Sequence, residues 1–282
     1  MNIFNVIKEI EKVDPEVFER LDPRRNVFKH FAGFGKKLAA TAVPLAFGSM
    51  LNKAYAQTGS NTAIVEVLNF ALTLEYLESE FYKQAVIAAP AVGANAAAQG
   101  ALTLIRDHEA QHVAFLRTTI TSLQGTPVTF TAANFDYTAR GAFADVFTNY
   151  GTMLAVAQAF EDTGVRAYKG QAGNLVASNA VLQAALQIHS VEARHAAHIR
   201  RMRRDVPTIA APVKPWITLK DRGGLPAATQ PIYDGEELTT QATVNIIMNA
   251  NGINITAEAA SEAFDEPLTK DQVLAIVTPF IR

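Results

Sequence analysis

The chain has 282 residues, 49% of them hydrophobic, enough to build a sizeable core in one large domain or two small ones. A formal net charge of −2 excludes an overall attraction to nucleic acid or to an anionic membrane, so no nucleic-acid partner is expected. Cysteine is absent, which excludes disulfides, thiolate-bound iron–sulfur centres and any thiolate-bound iron domain.

Residues 1–57 read as an address rather than a fold. Arg24-Arg25-Asn26-Val27-Phe28-Lys29 resembles a twin-arginine export motif; an apolar run from Leu38 to Leu51 follows, then Ala54-Tyr55-Ala56, a small-x-small cleavage pattern before Gln57. The expectation is an exported protein, periplasmic or extracellular, whose mature chain starts near Gln57. The other reading is a retained amphipathic or membrane-tethering helix. The apolar run is too short and interrupted for a membrane span, so the mature form is expected to carry none.

From Asn61 apolar residues recur with helical spacing. A first helix is predicted from Asn61 to Ala88, burying Ile64, Leu68, Leu72 and Leu77 and ending before Pro90. A second runs from Ala94 to Leu123, stopped by Gly125-Thr126-Pro127. The stretch from Gly125 to Ala142 has little periodicity and reads as a long crossover. A third helix is predicted from Phe143 to Gln171, with Gly164 in its interior permitting a close approach or a bulge, and a fourth from Ser178 to Arg204. Arg200, Arg201, Arg203 and Arg204 are read as cations complementing the last turn of that helix.

Residues 206–282 are proline-rich at first and are expected to wrap the bundle as an extension, burying Trp216, Ile217, Phe264 and Phe280. Short helices are predicted at Thr239 to Met248, Thr256 to Phe264 and Thr269 to Val277, the last opening on a Thr269-x-x-Gln272 capping box.

The chemistry lies in residues 58–205. Glu109-Ala110-Gln111-His112 and Glu192-Ala193-Arg194-His195 are two copies of Glu-x-x-His; residues three apart are rotated by about 300°, so each pair shares a helix face and can grip one ion. Each copy has a companion helix upstream, and aligning these places Glu75 on Glu161 and Tyr82 on Tyr168. The order Glu, Glu-x-x-His, Glu, Glu-x-x-His is the ligand pattern of a dinuclear site in a bundle core, and carboxylate with imidazole suits iron, manganese or zinc. Four carboxylates on apolar inner faces repel one another unless neutralised, and two divalent ions cancel them. The alternative is a metal-free bundle with these groups protonated, facing water, or paired with Arg106, Arg166 and Arg194.

On these motifs the chain resembles the ferritin-like superfamily of di-iron and di-manganese carboxylate proteins, and more narrowly bacterial ferritin-like domain proteins related to desiccation-associated proteins. The resemblance covers roughly Asn61 to Arg204. It implies an all-α, ferritin-like four-helix bundle with one long crossover between the middle helices. It also implies two iron or two manganese ions, with Glu109 and Glu192 bridging, Glu75 and Glu161 terminal, and His112 and His195 each on one metal. Tyr82 and Tyr168 are candidate catalytic residues that hydrogen-bond ligands or carry an electron hole; plain packing between helices is their other reading.

Glu78 and Glu80 are expected on the solvent side or behind the ligands, His108, His189 and His198 in structural or partly exposed roles, and Asp162 off the ligand face. The leading functional expectation is a dinuclear oxidoreductase acting on a small-molecule oxidant (peroxide or dioxygen) or on ferrous iron in stress protection. The alternative is a non-enzymatic, stress-associated exported protein with a structural metal site or none. A homo-oligomer is compatible with the sequence, which leaves the assembly open.

Overall fold

The computed structural model describes residues 61–209, 212–241, 243–247 and 255–282. The expected export segment, 1–57, lies outside them. Four long helices form the bundle: α1 (Asn61–Ala88), α2 (Ala96–Ser122), α3 (Tyr150–Ala172) and α4 (Asn179–Arg204). The chain pairs them as two hairpins, α1 with α2 and α3 with α4, around a core that includes Leu68, Leu72, Leu77, Leu102, Ile120 and Val156. No helix among the described residues is long and apolar enough to cross a membrane.

Local chemistry sets the helix ends. After α1, Pro90 and a left-handed Gly93 (φ +84°) turn the chain, and the Asn95 side chain caps α2 by accepting from Ala98 N. At the other end Gln124 takes the left-handed conformation (φ +64°), and the Gly125 amide returns to Ile120 O. Gly125 lies so close to Val65 that a Cβ there would sit 2.6 Å from its Cγ1.

The crossover runs from Leu123 to Asn149 and is longer than its sequence suggests. Phe143, Val146 and Phe147 have helical spacing, which placed the predicted start of the third helix at Phe143; α3 in fact begins at Tyr150. Two features block the earlier start. Ala139, Arg140 and Gly141 take successive positive φ values of 48°, 58° and 96°, and Asn149 is the true cap, accepting from Gly151 N and Thr152 N. Phe143 and Val146 are buried all the same, packing as loop side chains. Asn69 of α1 accepts from Val128 N and donates to Thr126 O, and Tyr137 donates to Leu77 O. Phe81 sits amid the rings of Tyr82, Tyr137, Phe147 and Phe160 at centroid distances of 5.2–5.6 Å.

The C-terminal segment wraps α3 and α4, and buried arginines hold it there. Arg166 donates to the carbonyls of Glu266, Ile232 and Asp234 and pairs with Glu236 at 2.7 Å. Arg200 grips Asp162 through Nε and Nη2 and donates to Trp216 O; Arg203 donates to Gln158 and Gly223 O. Arg200 and Arg203 are each only 2% exposed, which corrects their reading as cations serving the helix terminus. A guanidinium has five donors on a long stem, so one side chain can satisfy several carbonyls of an irregular strap.

Other expectations for this segment need correction. The helix predicted at Thr239 to Met248 is instead a small antiparallel pair, β1 (Thr240–Gln241) with β2 (Val244–Asn245), in register Gln241 opposite Val244. Thr239, Thr240, Thr243 and Val244 are β-branched and resist helix formation, and Thr243 (φ +73°) makes the turn. The helix expected at Thr256 to Phe264 shortens to α5 (Ala257–Ser261), while α6 (Lys270–Val277) opens on the predicted Thr269/Gln272 capping box. Ile217 and Phe280 are buried as expected; Trp216 and Phe264 are not, at 49% and 45% exposed.

Candidate metal centre

Each helix of the bundle brings one part of the cluster. Glu75 comes from α1, Glu109 and His112 from α2, Glu161 from α3, and Glu192 and His195 from α4; all four glutamates are 0% exposed. They form two groups whose donor atoms lie within 4.8 Å of one another: Glu75, Glu109, His112 and Glu192; and Glu109, Glu161, Glu192 and His195. Glu109 and Glu192 belong to both.

His112 Nδ1 lies 3.1 Å from Glu75 Oε2, 3.2 Å from Glu109 Oε2 and 3.0 Å from Glu192 Oε1. His195 Nδ1 lies 3.0 Å from Glu109 Oε1 and 3.4 Å from Glu161 Oε2. His112 Nδ1 is within hydrogen-bonding geometry of Glu75 and Glu109, but His195 Nδ1, Glu109 Oε1, Glu161 Oε2 and both oxygens of Glu192 are buried without an aligned hydrogen bond. Such orphaned donors and acceptors are costly in a dry interior, and here they all turn toward one shared space. A cation removes that cost, so the cluster can hold metal ions, and its carboxylate and imidazole donors suit iron, manganese or zinc.

The two tyrosines cross-link the halves. Tyr82 of α1 donates to Glu161 Oε1 of α3 at 2.5 Å, and Tyr168 of α3 donates to Glu75 Oε1 of α1. Each phenol therefore serves the glutamate of the opposite helix. Burial, followed by the charge of that glutamate, holds both hydroxyls well above their ordinary pKa, so they remain donors.

Without an ion the cluster neutralises itself. Burial pushes Glu75 up to about 8 against the pull of His112, and burial raises Glu161 well above its usual range against the pull of His195. Burial acts on Glu109 and Glu192 too, but the two imidazoles outweigh it and hold both below the ordinary carboxylate range. For His112 and His195 burial opposes charging, and the surrounding carboxylates overcome it. The arginine pairings weighed for a metal-free bundle do not form for two of the three residues: Arg106 pairs with Asp107, and Arg166 with Glu236.

Of the two places expected of it, Glu78 takes the one behind the ligands and not the solvent side. It is 3% exposed and faces the cluster, held well above its usual pKa by burial and then by Glu192. Its room comes from Gly164, where a Cβ would lie 3.2 Å from Glu78 Oε1 and 3.5 Å from Glu192 Oε2. The signal was present in the chain: Glu78 stands three residues after Glu75, and Gly164 three after Glu161. Glu80, by contrast, pairs with Lys83 near the surface.

His108 has a closer part than expected, its Nδ1 lying 2.9 Å from His195 Nε2. Burial, followed by repulsion from His195, lowers its pKa, so it accepts from His195 and leaves Nδ1 of that ring facing the glutamates. Both histidines line a cleft of about 530 Å³ between α2 and α4, with Leu104, Arg194 and His198 around it. His189 is turned away, its Nδ1 3.0 Å from Val165 O. Asp162 is off the cluster, committed to Arg200 and Tyr233.

Comparison with curated proteins and with solved structures gives no match in either case. A family model described as a ferritin-like domain matches residues 63–205, a span that opens near the start of α1, closes at the end of α4 and contains every residue of the cluster. With the crossover between its middle helices and its paired Glu-x-x-His helices, the chain belongs to the ferritin-like domain family.

Proposed function

We propose that the cluster holds two divalent transition-metal ions, iron or manganese, and that the protein is an oxidoreductase acting on peroxide, dioxygen or ferrous iron. The observation that carries this reading is the convergence of orphaned, fully buried carboxylate oxygens and one imidazole nitrogen on a common space inside an apolar bundle. In the proposal Glu75, Glu109, His112 and Glu192 hold one ion, and Glu109, Glu161, Glu192 and His195 the other, with Glu109 and Glu192 shared.

A pair of redox-capable ions, when bound, shares the electrons of O–O bond chemistry. The chain supplies the rest. Tyr82 and Tyr168 fix the carboxylate planes of Glu161 and Glu75, and His108 sets which nitrogen of His195 faces inward. The cleft between α2 and α4 offers an approach that ends at His108 and His195. On the Tyr168 side an apolar wall that includes Leu68, Phe70, Leu116 and Ile188 keeps water out. With no cysteine to relay electrons, the reading favours a substrate that is both donor and acceptor, as in peroxide disproportionation, or ferrous iron as its own donor. The twin-arginine-like segment supports action outside the cytoplasm, and the resemblance to desiccation-associated proteins supports a part in stress protection.

The self-neutralising charge of the metal-free cluster favours a second reading, a non-enzymatic bundle that folds with or without ions and works by binding. Metal analysis followed by turnover separates the two. Protein loaded with iron or manganese is expected to retain about two ions per chain and to consume hydrogen peroxide, or oxidise ferrous iron, without a thiol or flavin partner. Glu109→Ala, His112→Ala, Glu192→Ala and His195→Ala are each expected to lose metal while staying helical. Retention of well under one ion by the wild type defeats the metal reading; loaded protein inert to peroxide, dioxygen and ferrous iron leaves the binding protein.

A further inference from the structure

We infer that a second cleft, under Trp216, binds a small organic cation with a methylated ammonium head. The cleft has a volume of about 350 Å³ and lies between α3, α4 and the C-terminal segment. Its floor on α4 is Ala193, Ala196 and Ala197, spaced i, i+3, i+4 as a single stripe. Ala193 and Ala196 each follow a member of the metal cluster by one residue, so the stripe is turned about 100° from Glu192 and His195. Alanine at all three positions leaves the space open, where longer side chains would close it.

Trp216 forms the opposite wall, and its exposure is held in place. The segment that carries it is tied down on both sides: the Glu262 carboxylate accepts from Lys214 Nζ and from Thr218 Oγ1 at 2.7 Å, and Arg200 Nη1 donates to Trp216 O. The backbone beneath the ring is thus anchored, with about half of the residue open. An indole face is the best side-chain platform for a cation.

The charges of the cleft reduce to one uncommitted group. Asp162 and Arg200 neutralise each other through a two-pronged pair, and Tyr233 donates to the same aspartate. Asp265 has no hydrogen bond or ion pair to its carboxylate among the described residues; Lys169 donates to its backbone carbonyl instead. Burial, then the charge of Asp162, raises the pKa of Asp265, with His189, Lys169 and Arg200 pulling the other way. A cation in the cleft relieves that cost.

The shortage of acceptors, with only the Asp265 carboxylate free, selects the kind of cation. Arg200 Nη1 already occupies the carbonyls of Lys214 and Trp216. A primary ammonium brings three donors, more than the Asp265 carboxylate alone can take. A quaternary head brings none, and its methyl groups match the alanine floor and the indole face.

Trp216 is the only tryptophan in the chain, so its fluorescence reports on this cleft alone. Metal-loaded, full-length protein is titrated with choline chloride and, at matched ionic strength, with its uncharged isostere 3,3-dimethylbutan-1-ol. The expected result is a saturable change with choline and at least about tenfold weaker binding of the isostere. Asp265→Asn and Ala197→Leu, the first removing the charge and the second filling the floor, should each weaken choline by about tenfold or more. Neither should alter metal content. If Asp265→Asn fails to fold by circular dichroism, Ala197→Leu decides. No saturation with choline, equal binding of the two probes, or wild-type affinity in both folded variants overturns the inference.

Discussion

Loading the cluster with metal should release protons, and the structure specifies how many. In the metal-free protein His112 and His195 carry protons because buried carboxylates surround them, and Glu75 and Glu161 keep theirs because burial outweighs the adjacent imidazoles. Glu109 and Glu192 are already ionised. Ligands must be neutral imidazoles and ionised carboxylates, so binding two ions at pH 6.5 displaces one proton from each of His112, His195, Glu75 and Glu161, about four in all. The sign follows: higher pH favours binding, and below the Glu75 value of about 8 the combined binding constant for the pair rises by up to about four orders of magnitude per pH unit. Calorimetric titration in buffers of different ionisation heat reads the count as a slope. Glu78→Gln should leave it unchanged, since Glu78 keeps its proton in the loaded site; a loss of one would make Glu78 a ligand. A count of two or fewer refutes the reasoning, because the outer glutamates would then be ionised before any metal arrives.

Two further predictions concern how the C-terminal segment is held. At Gly170 an added Cβ would meet Leu268 O at 1.9 Å, a backbone atom that cannot swing aside; Gly170→Ala should cost about 1–3 kcal/mol and lower the melting temperature by several degrees. Gly173, three residues on, has an ordinary φ of −61° and no atom within 4 Å of its Cβ position, so Gly173→Ala should be neutral or stabilise by up to about 1 kcal/mol; equal melting of the two variants would contradict the packing described. Asp162→Ala strands Arg200, 2% exposed, without its counter-charge, and should destabilise by about 3–5 kcal/mol in urea titration. A change under about 1 kcal/mol would mean that the pair behaves as a surface ion pair.

The helices of the bundle and the six residues of the cluster were legible in the chain because both follow from local spacing. A period of 3.6 places apolar residues on one stripe, and a glutamate and histidine three apart share a face whatever the helix packs against. The end of the first helix, the capping box of the last and the pairing of Glu75 with Glu161 in the repeat were readable for the same reason. What packing decided was of another kind. Whether Phe143 and Val146 belong to a helix or to a buried loop depended on three left-handed residues and on which asparagine caps, and periodicity cannot distinguish the two. Arg200 and Arg203 look like a cationic helix end until the C-terminal segment, distant in sequence, brings its carbonyls to them. Tyr82 and Tyr168 each lie two turns along from one glutamate, yet they bond the other, because α1 and α3 cross at the cluster. Glu78 turns inward only because Gly164, on a different helix, leaves the space that a side chain would have taken. The sequence by itself determined which donors exist and which face each helix offers, through local geometry; the tertiary structure decided which donors meet, since that depends on how closely helices far apart in the chain approach.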